Sequence, residues 1–182
     1  MTISKTCILA AVLFLPITAS ADPVVLEGPR AGARELRLDQ GVMPAFSGIN
    51  SIAVDSSRLT LMGLNPGMGT FLTDNVEVGA TLSLLVATGG DAVVWSLGAA
   101  PFLRVMSRPG PWRLFGEVAL LYQPLFSRDD IEHLYGGGVS AGIEFAIRES
   151  WSFRIGPSFR HLRSGDRGLN LIGGSWAIAA YF

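Results

Sequence analysis

Trp176-Ala177-Ile178-Ala179-Ala180-Tyr181-Phe182 closes the chain. Read back from Phe182, the bulkier or more apolar residue recurs at every second position, through Ala180 and Ile178 to Trp176. A period of two belongs to a strand, whereas a helix repeats at about 3.6 residues. The same alternation runs through most of the chain. From residue 33 onward it gives eight candidate strands, over 33–43, 57–71, 75–87, 92–106, 112–125, 133–147, 151–162 and 169–182.

The faces of these strands differ in kind. In 75–87, Val76, Val78, Ala80, Leu82, Leu84 and Val86 share one side, and Glu77, Gly79, Thr81, Ser83 and Leu85 lie on the other. In 151–162, Trp151, Phe153, Ile155, Pro157 and Phe159 oppose Ser152, Arg154, Gly156, Ser158 and Arg160. A water-soluble barrel puts its apolar face inside. Charge on the thinner, glycine-rich face argues the reverse: lipid meets the apolar side and the charges fill a lumen. The fold expected is an all-β, eight-stranded antiparallel transmembrane up-and-down barrel. Each strand is long enough for the 9–11 residues, roughly, that a tilted strand needs to cross a bilayer. Trp95, Trp112, Tyr122, Trp151 and Trp176 are expected at the interfaces as aromatic girdles.

Tight connections are expected at Asp74-Asn75, Arg108-Pro109-Gly110-Pro111 and Arg148-Glu149-Ser150. Longer or more polar links fall at 44–56, 88–91, 126–132 and 163–168. If long links face outward, both termini are periplasmic. Gly63-Leu64-Asn65-Pro66, Gly98-Ala99-Ala100-Pro101 and Ile155-Gly156-Pro157 place Gly and Pro in mid-strand, either as local breaks in pairing or as tolerated prolines. Gly136-Gly137-Gly138 reads as a strand segment bent at the wall.

Residues 1–21 read as a cleaved signal peptide, with Lys5, an apolar run from Cys7 to Ile17, and the small-x-small site Ala19-Ser20-Ala21. Residues 22–32 form an irregular periplasmic lead, and 33–182 the barrel. The chain from Asp22 onward carries no Cys and no Lys, and its 13 Arg face 15 Asp plus Glu. That balance excludes a nucleic-acid partner. Neither a thiolate site nor His-x-x-x-His spacing is present, so no metal and no cofactor is expected.

Gly69-Thr70-Phe71-Leu72-Thr73-Asp74-Asn75-Val76-Glu77-Val78-Gly79-Ala80, then Gly98-Ala99-Ala100-Pro101-Phe102-Leu103-Arg104 and Phe115-Gly116-Glu117, resemble the bacterial outer-membrane protein β-barrel domain family. These are small eight-stranded barrels of the OmpX type, and the resemblance runs over about residues 33–182. It implies residence in the outer membrane of a Gram-negative bacterium. It also implies that Trp176, Ile178, Tyr181 and Phe182 carry the signal read by the barrel-assembly machinery. Such families include structural barrels, adhesion factors and lipid-modifying enzymes.

On the lumen face fall Glu35, Asp39, Glu77, Glu117 and Glu144, with Arg37, Arg104, Arg113, Arg154 and Arg160. An eight-stranded barrel has an interior that side chains fill, so five acids and five bases are expected to form a plugging ion-pair network. Arg128, Arg163 and Arg167 are expected at the outer rim, where guanidinium forks suit lipid A phosphates. Asp129, Asp130 and Glu132 beside them could share divalent cations with those phosphates.

His161, Ser164 and Asn170 follow an order similar to the lipid A 3-O-deacylases, small barrels whose catalytic His and Ser sit on the outward wall. Here Arg163 stands where that family has its serine, and Asn170 best matches the acid position. Strand parity sends residues three apart to opposite faces, so Ser164 is expected out of reach of His161. The leading function is therefore a monomeric structural or surface barrel in contact with outer-membrane lipid and lipopolysaccharide. The alternatives are a lipid A deacylase-like acyl hydrolase, degenerate or active, and a narrow channel for small hydrophobic solutes.

Overall fold

The structure, a computed structural model, describes residues 28–40, 49–54, 57–89, 92–108, 110–127 and 130–182. The signal peptide and the lead as far as residue 27 lie outside the described residues, as do Arg128 and Asp129.

Nine strands form one sheet: β1 (Arg34–Gln40), β2 (Ile49–Val54), β3 (Ser57–Thr73), β4 (Val76–Gly89), β5 (Ala92–Met106), β6 (Trp112–Phe126), β7 (Ile131–Arg148), β8 (Trp151–Ser164) and β9 (Arg167–Tyr181). Every neighbouring pair is antiparallel. β1 and β2 are two pieces of one stave. Both lie against β3, β1 along Asn65 to Thr70 and β2 along Ser57 to Met62. β1 also pairs with β9, Glu35 opposite Tyr181 through to Gln40 opposite Trp176, and so closes the sheet. The result is an eight-staved up-and-down transmembrane barrel.

Alternation explains which way each side chain faces. Along β6, Arg113, Phe115 and Leu121 are buried while Leu114, Val118 and Leu120 are exposed. The exposed set is apolar and much of the buried set is charged, the inverse of a water-soluble core. At the end where β1 begins and β9 finishes, here called the termini end, Phe71, Met106 and Phe115 pack together with Ala33 and Tyr181 against them. Arg34 and Phe182 exchange backbone hydrogen bonds there, at 2.9 and 3.1 Å.

Several elements differ from the sequence reading. β2 occupies part of the expected 44–56 link. β7 begins at Ile131, and β8 and β9 run into the expected 163–168 link, leaving only Gly165 and Asp166 between them. Gly165 takes φ 54°, the left-handed conformation that such a two-residue turn needs. Long and short connections therefore do not alternate. At the far end the strands are separated by residues 55–56, 90–91, 127–130 and 165–166, and at the termini end by 74–75, 107–111 and 149–150. Polarity in 163–168 suggested a loop, but a two-residue turn absorbs it.

The mid-strand prolines coincide with missing rungs. The β3–β4 ladder skips Asn65 and Pro66. The β5–β6 ladder skips Ala100 and Pro101, and again Leu97 and Gly98 beside Pro124. The β7–β8 ladder skips Ala141 and Gly142 opposite Gly156 and Pro157. Proline has no N–H to donate, so each rung lost has a local cause. Across Gly136-Gly137-Gly138, by contrast, pairing to β6 and β8 is unbroken. Glycine is needed at 136 because a Cβ there would lie 1.8 Å from the His161 carbonyl oxygen.

Candidate functional site

The lumen is built from two rows of charges on adjacent strands. In the first, Glu77 on β4, Arg104 on β5 and Glu117 on β6 stand side by side in register. Arg104 Nη1 is 2.5 Å from Glu77 Oε2, and Nη2 is 2.5 Å from Glu117 Oε2. In the second, Arg113 on β6, Glu144 on β7 and Arg154 on β8 stand in register, with opposite signs. Glu144 contacts both arginines. Glu35, on β1, joins the rows across the barrel. It lies 3.1 Å from Arg104 Nη1 and accepts from Arg154 Nη1 at 3.0 Å. Arg37 extends the network, at 2.9 Å from Glu117 and 2.7 Å from Asp39.

Glu35, Glu77, Arg104, Arg113, Glu144 and Arg154 are all 2% exposed or less. Charges so deeply withdrawn from water cost several kcal/mol each unless they are paired and hydrogen-bonded, by the usual order of magnitude. Here most carboxylates serve two guanidiniums. Two further groups support them. Phe102 lies under two guanidiniums, with Arg37 Cζ 3.8 Å and Arg104 Cζ 4.9 Å from its ring centre, a cation–π arrangement. The Tyr181 hydroxyl donates to Glu144 at 3.0 Å, accepts from Arg154 Nη2 at 2.8 Å and lies 2.9 Å from Ser152 Oγ. Tyr181 thus belongs to the lumen network as well as to the terminal strand. Its parity signalled this, because it falls on the face opposite Ile178 and Phe182.

Arg160 stands apart. No ion pair or hydrogen bond joins it to the described residues, though Asp39 and Glu117 act on it electrostatically. It borders a cavity of about 80 Å3 above the network, which Asn65, Ser83, Ala119, Leu121 and Ser140 also line. The network therefore occupies part of the interior rather than all of it. The termini half is filled, and small residues leave space in the other half.

On the outer wall, aromatics bracket apolar runs. Outward positions of β6 run from Trp112 through Leu114, Gly116, Val118 and Leu120 to Tyr122. At about 3.3 Å per residue, ten residues span about 33 Å along a strand. A tilt of about 40° reduces that to about 25 Å, the height of the apolar band on transmembrane barrels. Tyr135 to Phe145 on β7 and Trp151 to His161 on β8 repeat the spacing. Trp95 stacks on Phe126 with ring centres 4.1 Å apart, and Tyr122 hydrogen-bonds His133 Nδ1 at 2.9 Å. Trp176 is corrected: it lies opposite Ile155 and Gln40 in mid-strand, inside the band and not at a girdle.

His161 faces outward at the upper edge of this band, and its Nδ1 is 2.7 Å from Asn170 Oδ1 across the β8–β9 pair. Ser164, three residues on, falls on the lumen face. Arg163, also outward, donates to the Gly165 carbonyl at 2.7 Å and lies 3.9 Å from Asp166. Arg167 is exposed beside them. The site thus combines a histidine, an amide and the Arg163 guanidinium on the wall, with Arg167 at the strand end opposite Ser164 and no serine on the outer face next to His161.

No protein-family model and no curated protein matches the sequence. Solved structures do. The outer membrane protein OprG from Pseudomonas aeruginosa superposes with a TM-score of 0.50 at 13% identity, over 86% of this chain and 92% of that one. The chain has the fold of outer-membrane β-barrels. The N-terminal β-barrel domain of Pseudomonas aeruginosa OprF aligns at 17% identity and a TM-score of 0.49, over 85% of this chain and all of that domain.

Proposed function

We propose that this protein is a monomeric outer-membrane barrel, structural in its lumen, that contacts lipopolysaccharide through its wall and rim. The observation that carries this reading is the apolar band of about 25 Å, edged by His161, Asn170, Arg163 and Arg167 on two adjacent strands. Guanidinium forks suit phosphate oxygens, and the apolar wall below suits acyl chains. Termini at one end of an even-staved barrel are read as periplasmic, which puts this rim in the outer leaflet. Arg128, by its place in the connection before β7, joins the proposed phosphate contacts.

The test is binding of lipid A to the refolded protein in detergent. Weaker binding after joint Arg163→Gln and Arg167→Gln exchange supports the reading; unchanged binding overturns it. The His161–Asn170 hydrogen bond favours the acyl hydrolase as a second reading, since a base needs an orienting partner. Loss of one acyl chain from lipid A in cells that make the protein would establish it. A through-channel has no comparable support: the network and the Phe71–Met106–Phe115 cluster fill the termini end.

A further inference from the structure

Two polar side chains beside one lumen cavity, Asn65 and Arg160, make no hydrogen bond with the described residues. Asn65, on β3, is 7% exposed and makes no side-chain hydrogen bond with the described residues. Arg160, on β8, has neither an ion pair nor a hydrogen bond with them. Both border the same cavity. A buried amide without a partner is costly, by roughly 1–3 kcal/mol, and the half-buried guanidinium of Arg160 stands at the same cavity. Water can serve both groups, but a fixed amide donor and a guanidinium fork aimed into one space also describe an oxyanion site.

We infer that this cavity binds a compact oxyanion of the carboxylate class, held by Arg160 and Asn65. Neighbouring charges permit this. Asp39, opposite Asn65 in the β1–β3 ladder, is paired with Arg37 at 2.7 Å. Glu117 is shared between Arg37 and Arg104. Arg160, unlike Arg37, Arg104, Arg113 and Arg154, has no ion pair with the described residues, and although Asp39 and Glu117 also line the cavity, both already hold other guanidiniums. The hydroxyls of Ser83 and Ser140 add donors on the cavity wall, and Ala119 and Leu121 give a short apolar substituent a place to lie. A cavity of about 80 Å3 admits only a few heavy atoms beyond the carboxylate. Entry is from the far end, because the termini end is filled.

The probe is acetate, titrated into the refolded protein in micelles against chloride at constant ionic strength. The readout is the Arg160 side-chain Nε–Hε resonance. A saturable shift in the millimolar range is expected, as suits so small a ligand. Asn65→Ala should weaken binding by about tenfold or more. Asn65→Asp, which keeps the shape and adds a negative charge, should abolish it and serves if the alanine variant does not fold. Glu149→Gln, exposed in the turn before β8 at the opposite end of the barrel, should bind as the native protein does. A shift that does not saturate, an equal shift with chloride alone, or native affinity in a folded Asn65 variant would overturn the site.

Discussion

Glu35 and Arg104 meet across the lumen at 3.1 Å, although 69 residues separate them in sequence. The contact links opposite walls, and Glu35 holds Arg154 as well. Glu35→Ala would leave two buried guanidiniums short of a partner. The expected cost is about 3–5 kcal/mol, read as a lower urea midpoint. Asp130→Asn, exposed at the far end, should leave the midpoint in place. Equal midpoints for the two variants would show that the lumen network does not hold the walls together.

Glu144 and Arg154 are direct cross-strand neighbours on β7 and β8. Exchanging them should recover less than half of what either single charge removal costs. Arg113 contacts Glu144, and Glu35 contacts Arg154, so each exchanged charge would face a like one. Full recovery of the urea midpoint in the exchanged protein would mean that the four residues do not act as one network.

Tyr181 and Phe182 are adjacent but face opposite ways, and their variants should part company. Tyr181→Phe removes a hydroxyl that three lumen groups use. It should cost about 1–3 kcal/mol while the barrel still reaches the membrane and still migrates heat-modifiably. Deleting Phe182, whose ring is 71% exposed, should spare the lumen. It should instead slow assembly and leave protease-sensitive protein in the periplasm. Normal membrane yield after the deletion would remove the assembly-signal reading.

Ser164→Ala should leave any lipid phenotype of the protein unchanged, because its side chain falls on the lumen face. His161→Ala should matter only if the wall contact does, and then through lipid binding. Loss of a lipid A deacylation product in the Ser164 variant would contradict the alternation that separates the two residues.

Fold class was legible because period-two patterning with inverted polarity is a property of each strand alone. The connections were less so. Residues 163–168 are polar on both faces, and polarity does not separate a loop from strand ends outside the bilayer. The split first stave had no local sign, since residues 44–56 carry no clean alternation. Parity assigns a face to each charge but not a partner, and counting from a tight turn reaches only hairpin neighbours. Glu35 with Arg104 needs the closure of the whole wall. Asn65 carried no signal beyond its proline neighbour, because an unpartnered amide is visible only once its surroundings are.

Seven of the eight seams in this wall join strands that follow one another in sequence. The eighth joins Glu35 to Tyr181, so its rungs cannot form until β9 has been made. Closing so long a loop costs little more than closing one of half the length, about 0.6 kcal/mol per doubling. The delay is in time rather than in stability. Until β9 arrives, β1 and β8 are open edges of the kind that pair with foreign strands. The newly made protein therefore has to be kept from its own kind until β9 has been made and the seam between β1 and β9 has closed.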